Sequence, residues 1–146
     1  MQPTLEALLL SNWRIVPVYE MAIAPQSAPQ QGQADRWRPK PKVVKYRAWR
    51  DEFAAHWQPE WKLPEMPVFI FGMPMPKSWS GKKRERMNGT VHLSRPDTDN
   101  MIKAVVDSIY RLPRYEGRND SEVWCAVGLK FWSCEGYVKI GRLVQG

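Results

Sequence analysis

The sequence predicts an α+β fold in which a small mixed β-sheet packs against two main helices. Residues 42–57 and 97–110 have the three- and four-residue apolar spacing of helices, and several short apolar or alternating segments are typical of strands. A chain of 146 residues has the length of a single domain. Within it we distinguish an N-terminal strand with a polar arm, residues 1–35, from a main domain, residues 36–146.

The first half of the chain predicts one strand, one arm and one helix, whereas residues 1–12 have no clear pattern. Residues 13–24 are rich in β-branched and aromatic side chains and indicate one strand, or two short strands divided at Pro17. Residues 25–35 are polar and predict a loop or mobile arm. In the helix, an apolar stripe predicts packing on the core and a solvated basic face, with direct DNA contact as the less favoured alternative. The stripe consists of Tyr46, Trp49, Phe53 and Trp57.

The second half of the chain predicts the rest of the sheet. Residues 67–72 are a short apolar run between prolines, which indicates a buried strand, and residues 90–93 predict a short strand. Residues 122–132 alternate between apolar and polar side chains, and residues 137–144 follow after a turn. We therefore expect the last two strands to pair as a β-hairpin.

Net charge and one basic segment indicate a nucleic-acid partner. The chain has a formal charge of +7 and a pI near 9.6, and nucleic acid is the leading polyanionic partner of such a protein. Residues 73–86 predict a loop that combines basic residues with a tryptophan, which suits phosphate contact and base stacking. A merely solvated loop is the alternative. The residues expected to bind nucleic acid are Lys77, Trp79, Lys82, Lys83, Arg84 and Arg86.

Composition excludes several other classes of protein. Cys125 and Cys134 are too few for a disulfide framework, and together with His56 and His92 they have no zinc-motif spacing. The apolar stretch at residues 5–10 is far shorter than the roughly 20 residues that span a bilayer. It also lacks the basic start of a signal peptide. We therefore expect a cytoplasmic protein without a membrane partner.

Two carboxylates stand at the start of the second helix. Pro96 disfavours a helical conformation at Arg95, so that Asp97 is placed to cap the helix and Asp99 lies in its first turn. Capping and charging the helix start is their plain role. Carboxylates one residue apart at such a junction can also converge, and convergent carboxylates suit a hard divalent cation such as Mg²⁺.

A lysine and a second acidic element extend this group. Asp99, Lys103 and Asp107 are spaced four residues apart and form one polar line along the helix, with an intrahelical ion pair as the alternative role of Lys103. Residues 119–122 bring further carboxylates just before the alternating strand. If that strand packs beside the helix, Asp120 can complete a metal site.

These segments resemble the RusA family of Holliday junction resolvases, in its bacteriophage-type branch. Residues 95–109 look like the family's signature helix, residues 119–123 match its second acidic element, and residues 75–79 are similar to the bacteriophage-type members. The resemblance covers residues 36–142 and implies that one or two metal ions are bound by Asp97, Asp99 and Asp120. It implies that these three residues and Lys103 carry catalysis. The family often has two adjacent aspartates where Asn119 and Asp120 stand; Asp120 aligns with the second, so we expect activity to survive.

The resemblance also implies an activity and its partners. The expected protein is a Mg²⁺-dependent endonuclease, with Mn²⁺ able to substitute, that resolves four-way DNA junctions by paired symmetric nicks in recombination and repair. It is expected to be a homodimer, because a two-fold symmetric junction needs two matched nicks. Two alternatives stay open: a basic DNA-binding module without catalysis, and a metal nuclease acting on flaps or forks. The expected setting is a bacterial cell, and the similarity of residues 75–79 implies a phage or prophage origin.

Overall fold

A computed structural model of the chain describes residues 4–146. The four helices are α1 (Leu5–Leu10), α2 (Pro41–His56), α3 (Gly81–Met87) and α4 (Thr98–Tyr110). The four strands are β1 (Trp13–Met21), β2 (Pro67–Pro74), β3 (Val127–Ser133) and β4 (Tyr137–Gln145). Short 3₁₀ turns lie at Gln33–Arg36, Pro113–Tyr115 and Asp120–Glu122. In the described part of the chain, no helix has the length and apolar character needed to cross a membrane.

The strands form one mixed sheet in the order β1-β4-β2-β3, which confirms the predicted α+β class. Strand β4 is antiparallel to both β1 and β2, whereas β2 and β3 are parallel. The predicted hairpin between the last two strands is wrong, because β2 lies between them. The apolar β2, with Val68, Phe69 and Phe71 fully buried, takes a central position in the sheet.

The connection from β3 to β4 is long enough to pass over the end of β2. Two strand spacings are about 9.6 Å, and four extended residues reach about 13 Å. The backbone N–H of Met75, just beyond β2, donates to the carbonyl of Ser133 at 3.0 Å and closes this crossing. The alternation of apolar and polar residues could not reveal the crossing. Two strands that pair directly and two strands that lie on either side of a third strand show the same alternation.

Helices α2 and α4 pack with the sheet around one core, as predicted. The stripe on α2 is buried, and the core also contains Met101, Val105 and Ile109 from α4. Gly128 on β3 allows the first turns of α4 to approach the sheet closely. A Cβ atom at this position would lie 2.5 Å from Cγ2 of Thr98 and 2.7 Å from Cδ1 of Ile102. The glycine therefore helps to set the position of the helix start, where the two candidate carboxylates lie.

Three local predictions differ from the structure. Residues 73–86 are not all loop, because α3 begins after Ser80, whose hydroxyl accepts a hydrogen bond from the backbone N–H of Lys83 at 3.2 Å. Strand β3 begins at Val127 rather than at residue 122, because Asp120–Glu122 form a 3₁₀ turn. The strand expected at residues 90–93 is reduced to a single bridge between Val91 and Phe131.

The arm after β1 lies against the rest of the fold. It has no regular structure from residue 22 to residue 32, but Met21 and Ile23 belong to the buried core. The backbone N–H of Ala28 donates to the carbonyl of Asn100 in α4 at 3.1 Å. The arm is thereby held beside the start of α4 and forms one wall of the site described next.

Candidate functional site

An open cavity of about 960 Å³ lies at the start of α4. The arm forms one wall through residues 25–27 and Pro29, and the end of β2 forms another. Asp97 and Asn100 face the cavity from α4, and Lys42 faces it from the first turn of α2. The cavity is also lined by His92, by Ser94–Pro96 and by Trp132. The cavity thus combines a carboxylate, cationic groups and an aromatic ring.

The carboxylate of Asp97 is not used to cap its helix. The residue occupies the N-cap position, and its carbonyl accepts from the backbone N–H of Met101 at 3.2 Å. Its side chain accepts no capping hydrogen bond from the described part of the chain, although capping was the plain interpretation of the sequence. Asp99 lies in the first turn of α4, and both residues are exposed. Two carboxylates are therefore available at one end of α4.

Lys130 holds the segment that leads into Asp97. Its Nζ atom donates to the carbonyl of Ser94 at 2.6 Å and to that of Pro96 at 2.8 Å, across from β3. The peptide bond between Arg95 and Pro96 is cis. One strand lysine thus fixes two carbonyls of the segment that leads into the candidate carboxylate. Sequence reasoning missed this role, because nothing local relates position 130 to positions 94 and 96.

His92 is a buried side chain beside the cavity. It is 3 % exposed, its ring lies 4.2 Å from that of Trp132, and its Nε2 atom is 3.4 Å from the hydroxyl of Ser94. Its Nδ1 atom has no hydrogen-bond partner among the described residues. Burial and the nearby ammonium of Lys130 lower the pKa of His92, so the neutral ring is favoured. From the sequence, His92 could be considered only as a zinc ligand, and it lacks the spacing of a zinc motif.

The polar line along α4 divides into residues of different character. Lys103 is exposed one turn after Asp99, where it can reach a group held at the helix start. Asp107 accepts a hydrogen bond from the hydroxyl of the buried Tyr46 at 3.2 Å. Burial and the carboxylate of Asp107 raise the pKa of Tyr46, which keeps this phenol protonated. Asp107 therefore joins α4 to α2 through a hydrogen bond between side chains.

Asp120 lies apart from the other two carboxylates. It lines a separate recess with Asp107, Tyr110 and Arg111, along the second half of α4. Asp97 and Asp107 are ten residues apart, which corresponds to about 15 Å along a helix. Within residues 4–146, no three His, Cys, Asp or Glu side chains are grouped so that they could hold one metal ion. The predicted convergence of Asp97, Asp99 and Asp120 is therefore absent from this structure, and their metal-binding roles stay predictions.

The turn that carries Asp120 is held by its own contacts. The side chain of Asn119 accepts a hydrogen bond from the backbone N–H of Ser121 at 2.8 Å, so the residue that departs from the family pattern caps this turn. Glu122 pairs with Arg118 and accepts from the hydroxyl of Tyr110 at 2.9 Å. Both contacts lower the pKa of Glu122, with the contact to Arg118 the larger cause. These contacts occupy Glu122 and fix the turn beside the second half of α4.

Helix α3 brings the basic segment to the same side as the cavity. The rings of Trp79 and Trp132 are 4.8 Å apart, and Nζ of Lys83 lies 4.2 Å from the centre of the Trp79 ring. The guanidinium of Arg84 donates to the carbonyl of Pro76 at 2.9 Å. Trp79 is half-buried, and Lys83 lies over one face of its ring. The exposed cations of the segment are Lys77, Lys82 and Arg86.

Comparison with known proteins assigns this architecture to a family. A comparison with curated proteins finds no similar sequence. The model of the family described as endodeoxyribonuclease RusA matches residues 22–141, which is most of the chain. The match includes the arm, the cavity, helix α3, helix α4 and both acidic elements. The chain therefore belongs to the RusA endodeoxyribonuclease family.

Proposed function

We propose that the protein is a Mg²⁺-dependent, structure-selective endonuclease that resolves four-way DNA junctions by paired symmetric nicks, acting in recombination and repair. The observation that carries the proposal is the uncapped carboxylate of Asp97, which faces a large cavity between the arm and the end of β2. Family membership supplies the reaction, namely cleavage within a DNA chain. The cavity and its basic surroundings supply a place for the DNA backbone.

The residues at the start of α4 fit a divalent cation. Mg²⁺ keeps several waters and is commonly held by one or two carboxylates together with substrate phosphates. Asp97 and Asp99 offer two such carboxylates within one helical turn, and Mn²⁺ takes the same kind of ligand. A bound Mg²⁺ would supply charge neutralisation at the phosphodiester and a more acidic water.

The other side chains would bind and orient the DNA. Lys103, one turn further along the exposed face of α4, would donate to the scissile phosphate or to its leaving oxygen and so stabilise developing negative charge. The cations of α3, with Lys42 on the cavity rim, would hold the flanking backbone. Lys130 would keep Asp97 in place through the carbonyls of the preceding segment.

Asp120 is proposed as a further metal ligand on the family resemblance alone. In this structure, an approach to Asp97 would require movement of the turn at Asp120–Glu122. We expect Asp120→Asn to abolish cleavage and to leave junction binding intact, because an amide cannot replace the carboxylate as a ligand. Full cleavage by this variant would remove Asp120 from the mechanism. The matched control is Glu122→Gln, which weakens the contacts that hold the turn but keeps Asp120. Its cleavage rate shows how much of any loss comes from loosening the turn.

A homodimer is proposed because the substrate has two-fold symmetry. Two matched nicks on opposing strands require two active sites related by a similar axis, and a symmetric dimer provides them. Sedimentation of the free protein and of its junction complex measures the oligomeric state. A complex with a single copy on each junction that still makes paired nicks would contradict this part of the proposal.

Cleavage of a synthetic mobile four-way junction and of a linear duplex of the same sequence, with and without Mg²⁺, tests the function. We expect symmetric nicks in the junction, dependent on Mg²⁺, and little cleavage of the duplex. Binding without nicks at any Mg²⁺ concentration would support a DNA-binding module instead. Faster cleavage of flaps or forks than of junctions would support the other alternative.

A further inference from the structure

The ring of Trp37 projects from the surface into solvent. It is 81 % exposed, compared with 42 % for Trp124, and it lies four residues before the start of α2, on the segment that follows the arm. Most tryptophan side chains are largely buried, because they remove more apolar surface from water than other side chains. Trp37 stands between Arg36 and Arg38, and an accessible aromatic ring among cations is the combination that binds exposed nucleic-acid bases and their phosphates.

The turn that presents Trp37 has a defined shape. Asp35 is 1 % exposed, and its carboxylate accepts hydrogen bonds from the backbone N–H groups of Gly32 at 2.8 Å and Lys40 at 2.9 Å. Arg47 on α2 donates to the Asp35 carbonyl at 3.1 Å, and the Trp37 N–H donates to the carbonyl of Ala34 at 3.2 Å. These contacts hold both ends of the turn, so the position of Trp37 is built into the fold.

Positive charge surrounds Trp37 and continues to the cavity. Among the described residues, one ion pair involves a cation of this segment, and it joins Lys40 to Asp35 at 4.0 Å. Lys42 lines the cavity that Asp97 faces, five residues after Trp37. Pro39 precedes the extended Lys40, and Pro41 is the first residue of α2, so α2 begins only after the Trp37 turn. The cations from the Trp37 turn into the first turns of α2 are Arg36, Arg38, Lys40, Lys42 and Lys45.

We propose that the Trp37 turn, residues 32–40, is a second DNA-contact site, in which the indole stacks on a base face left uncovered at a branch point and Arg36 and Arg38 bind the adjacent phosphates. This inference rests on the proposed function. In a continuous duplex every base is already stacked on its neighbours, so an indole finds a free base face only where the stack is interrupted. A branch point offers such a face, and aromatic stacking accepts any base. The site would therefore contribute preference for branched DNA over linear duplex.

Binding assays without divalent metal test the proposal, because they separate DNA contact from cleavage. The substrates are a four-way junction with 2-aminopurine at the branch and a linear duplex of the same sequence. We expect Trp37→Ala to bind the junction about tenfold more weakly and to lose the change in 2-aminopurine fluorescence. Binding to the duplex should change little. Trp37→Phe should keep most of the affinity, and Trp124→Ala, at the other exposed tryptophan, should bind as the wild type does.

Salt dependence measures the phosphate contacts separately. We expect the double variant Arg36→Ala, Arg38→Ala to reduce the slope of log affinity against log salt by about one for each phosphate that is no longer neutralised. Thermal unfolding should be unchanged in Trp37→Ala, because the ring is exposed. Wild-type junction affinity in Trp37→Ala would overturn the proposal, as would an equal loss on junction and duplex. If the wild type binds junctions through Trp37 but never nicks them with Mg²⁺, the proposed function fails and this inference stands.

Discussion

Replacing Lys130 by methionine should loosen the segment before Asp97 and slow cleavage more than it weakens binding. The methionine keeps an apolar stem of similar length but loses both hydrogen bonds to the carbonyls of Ser94 and Pro96. A hydrogen bond to a charged group contributes about 1.5–3 kcal/mol. Because the bond to Ser94 is exposed to water, we count the two together as about 2 kcal/mol. For a domain of this size that loss lowers Tm by about 4–8 °C.

The effect on cleavage follows from the position of the segment. A misplacement of about 1 Å at a catalytic group can cost about 100-fold in rate, so we expect single-turnover nicking by Lys130→Met to fall by about 10- to 100-fold. Junction binding without metal should change little, because the cations of α3 are untouched. The matched control is Lys139→Met, since the Lys139 ammonium lies 3.8 Å from Glu20 in a surface pair worth at most about 1 kcal/mol. An unchanged Tm and nicking rate in Lys130→Met would refute the positioning role.

Three further perturbations test other parts of the site. Gly128→Ala would place a Cβ atom 2.5 Å from Thr98, so we expect a loss of about 1–3 kcal/mol in urea unfolding; wild-type stability would contradict the close seating of α4. The pKa of His92 is lower in the folded protein than in the unfolded chain, so the unfolded chain binds a proton first as the pH falls. The stability that the neutral His92 ring contributes should therefore be complete above about pH 6.5 and be lost as the pH falls toward the folded pKa. Urea unfolding at pH 7 and pH 5 should thus show a larger drop for the wild type than for His92→Gln; equal drops would contradict this. Alanine at Lys82, Lys83 and Arg84 should weaken DNA binding and flatten its salt dependence; an unchanged salt slope would show that α3 does not touch phosphate.

Much of the fold could be predicted because it depends on local periodicity. The stripe on α2 and the start of α4 at Asp97 follow from side-chain spacing and from Pro96, and the structure has both. The order of the strands could not be predicted in this way. Whether β3 pairs with β4 or with β2 is decided by which apolar strand takes the centre of the sheet, and this depends on contacts between distant segments.

The candidate site was predicted in part for the same reason. Asp97, Asp99 and Lys103 lie on one helix, so their relation is fixed by helix geometry. The approach of Asp120 depended on how a turn about twenty residues later packs against α4, and the structure places that turn at the other end of the helix. The nuclease assignment therefore rests on the family match and on the α4 carboxylates. The contacts of Lys130 and His92 were missed, because both join segments that no sequence pattern relates to each other.

Single-turnover nicking of a four-way junction by Asp97→Asn tests the central claim most directly. Binding is first measured without metal, and Mg²⁺ is then added at a protein concentration that saturates the junction. We predict that the variant binds as the wild type does and makes no nicks, whereas Asp51→Asn, at an exposed aspartate on α2, cleaves normally. Nicking by Asp97→Asn at the wild-type rate would contradict the assignment of the α4 carboxylates as the catalytic centre.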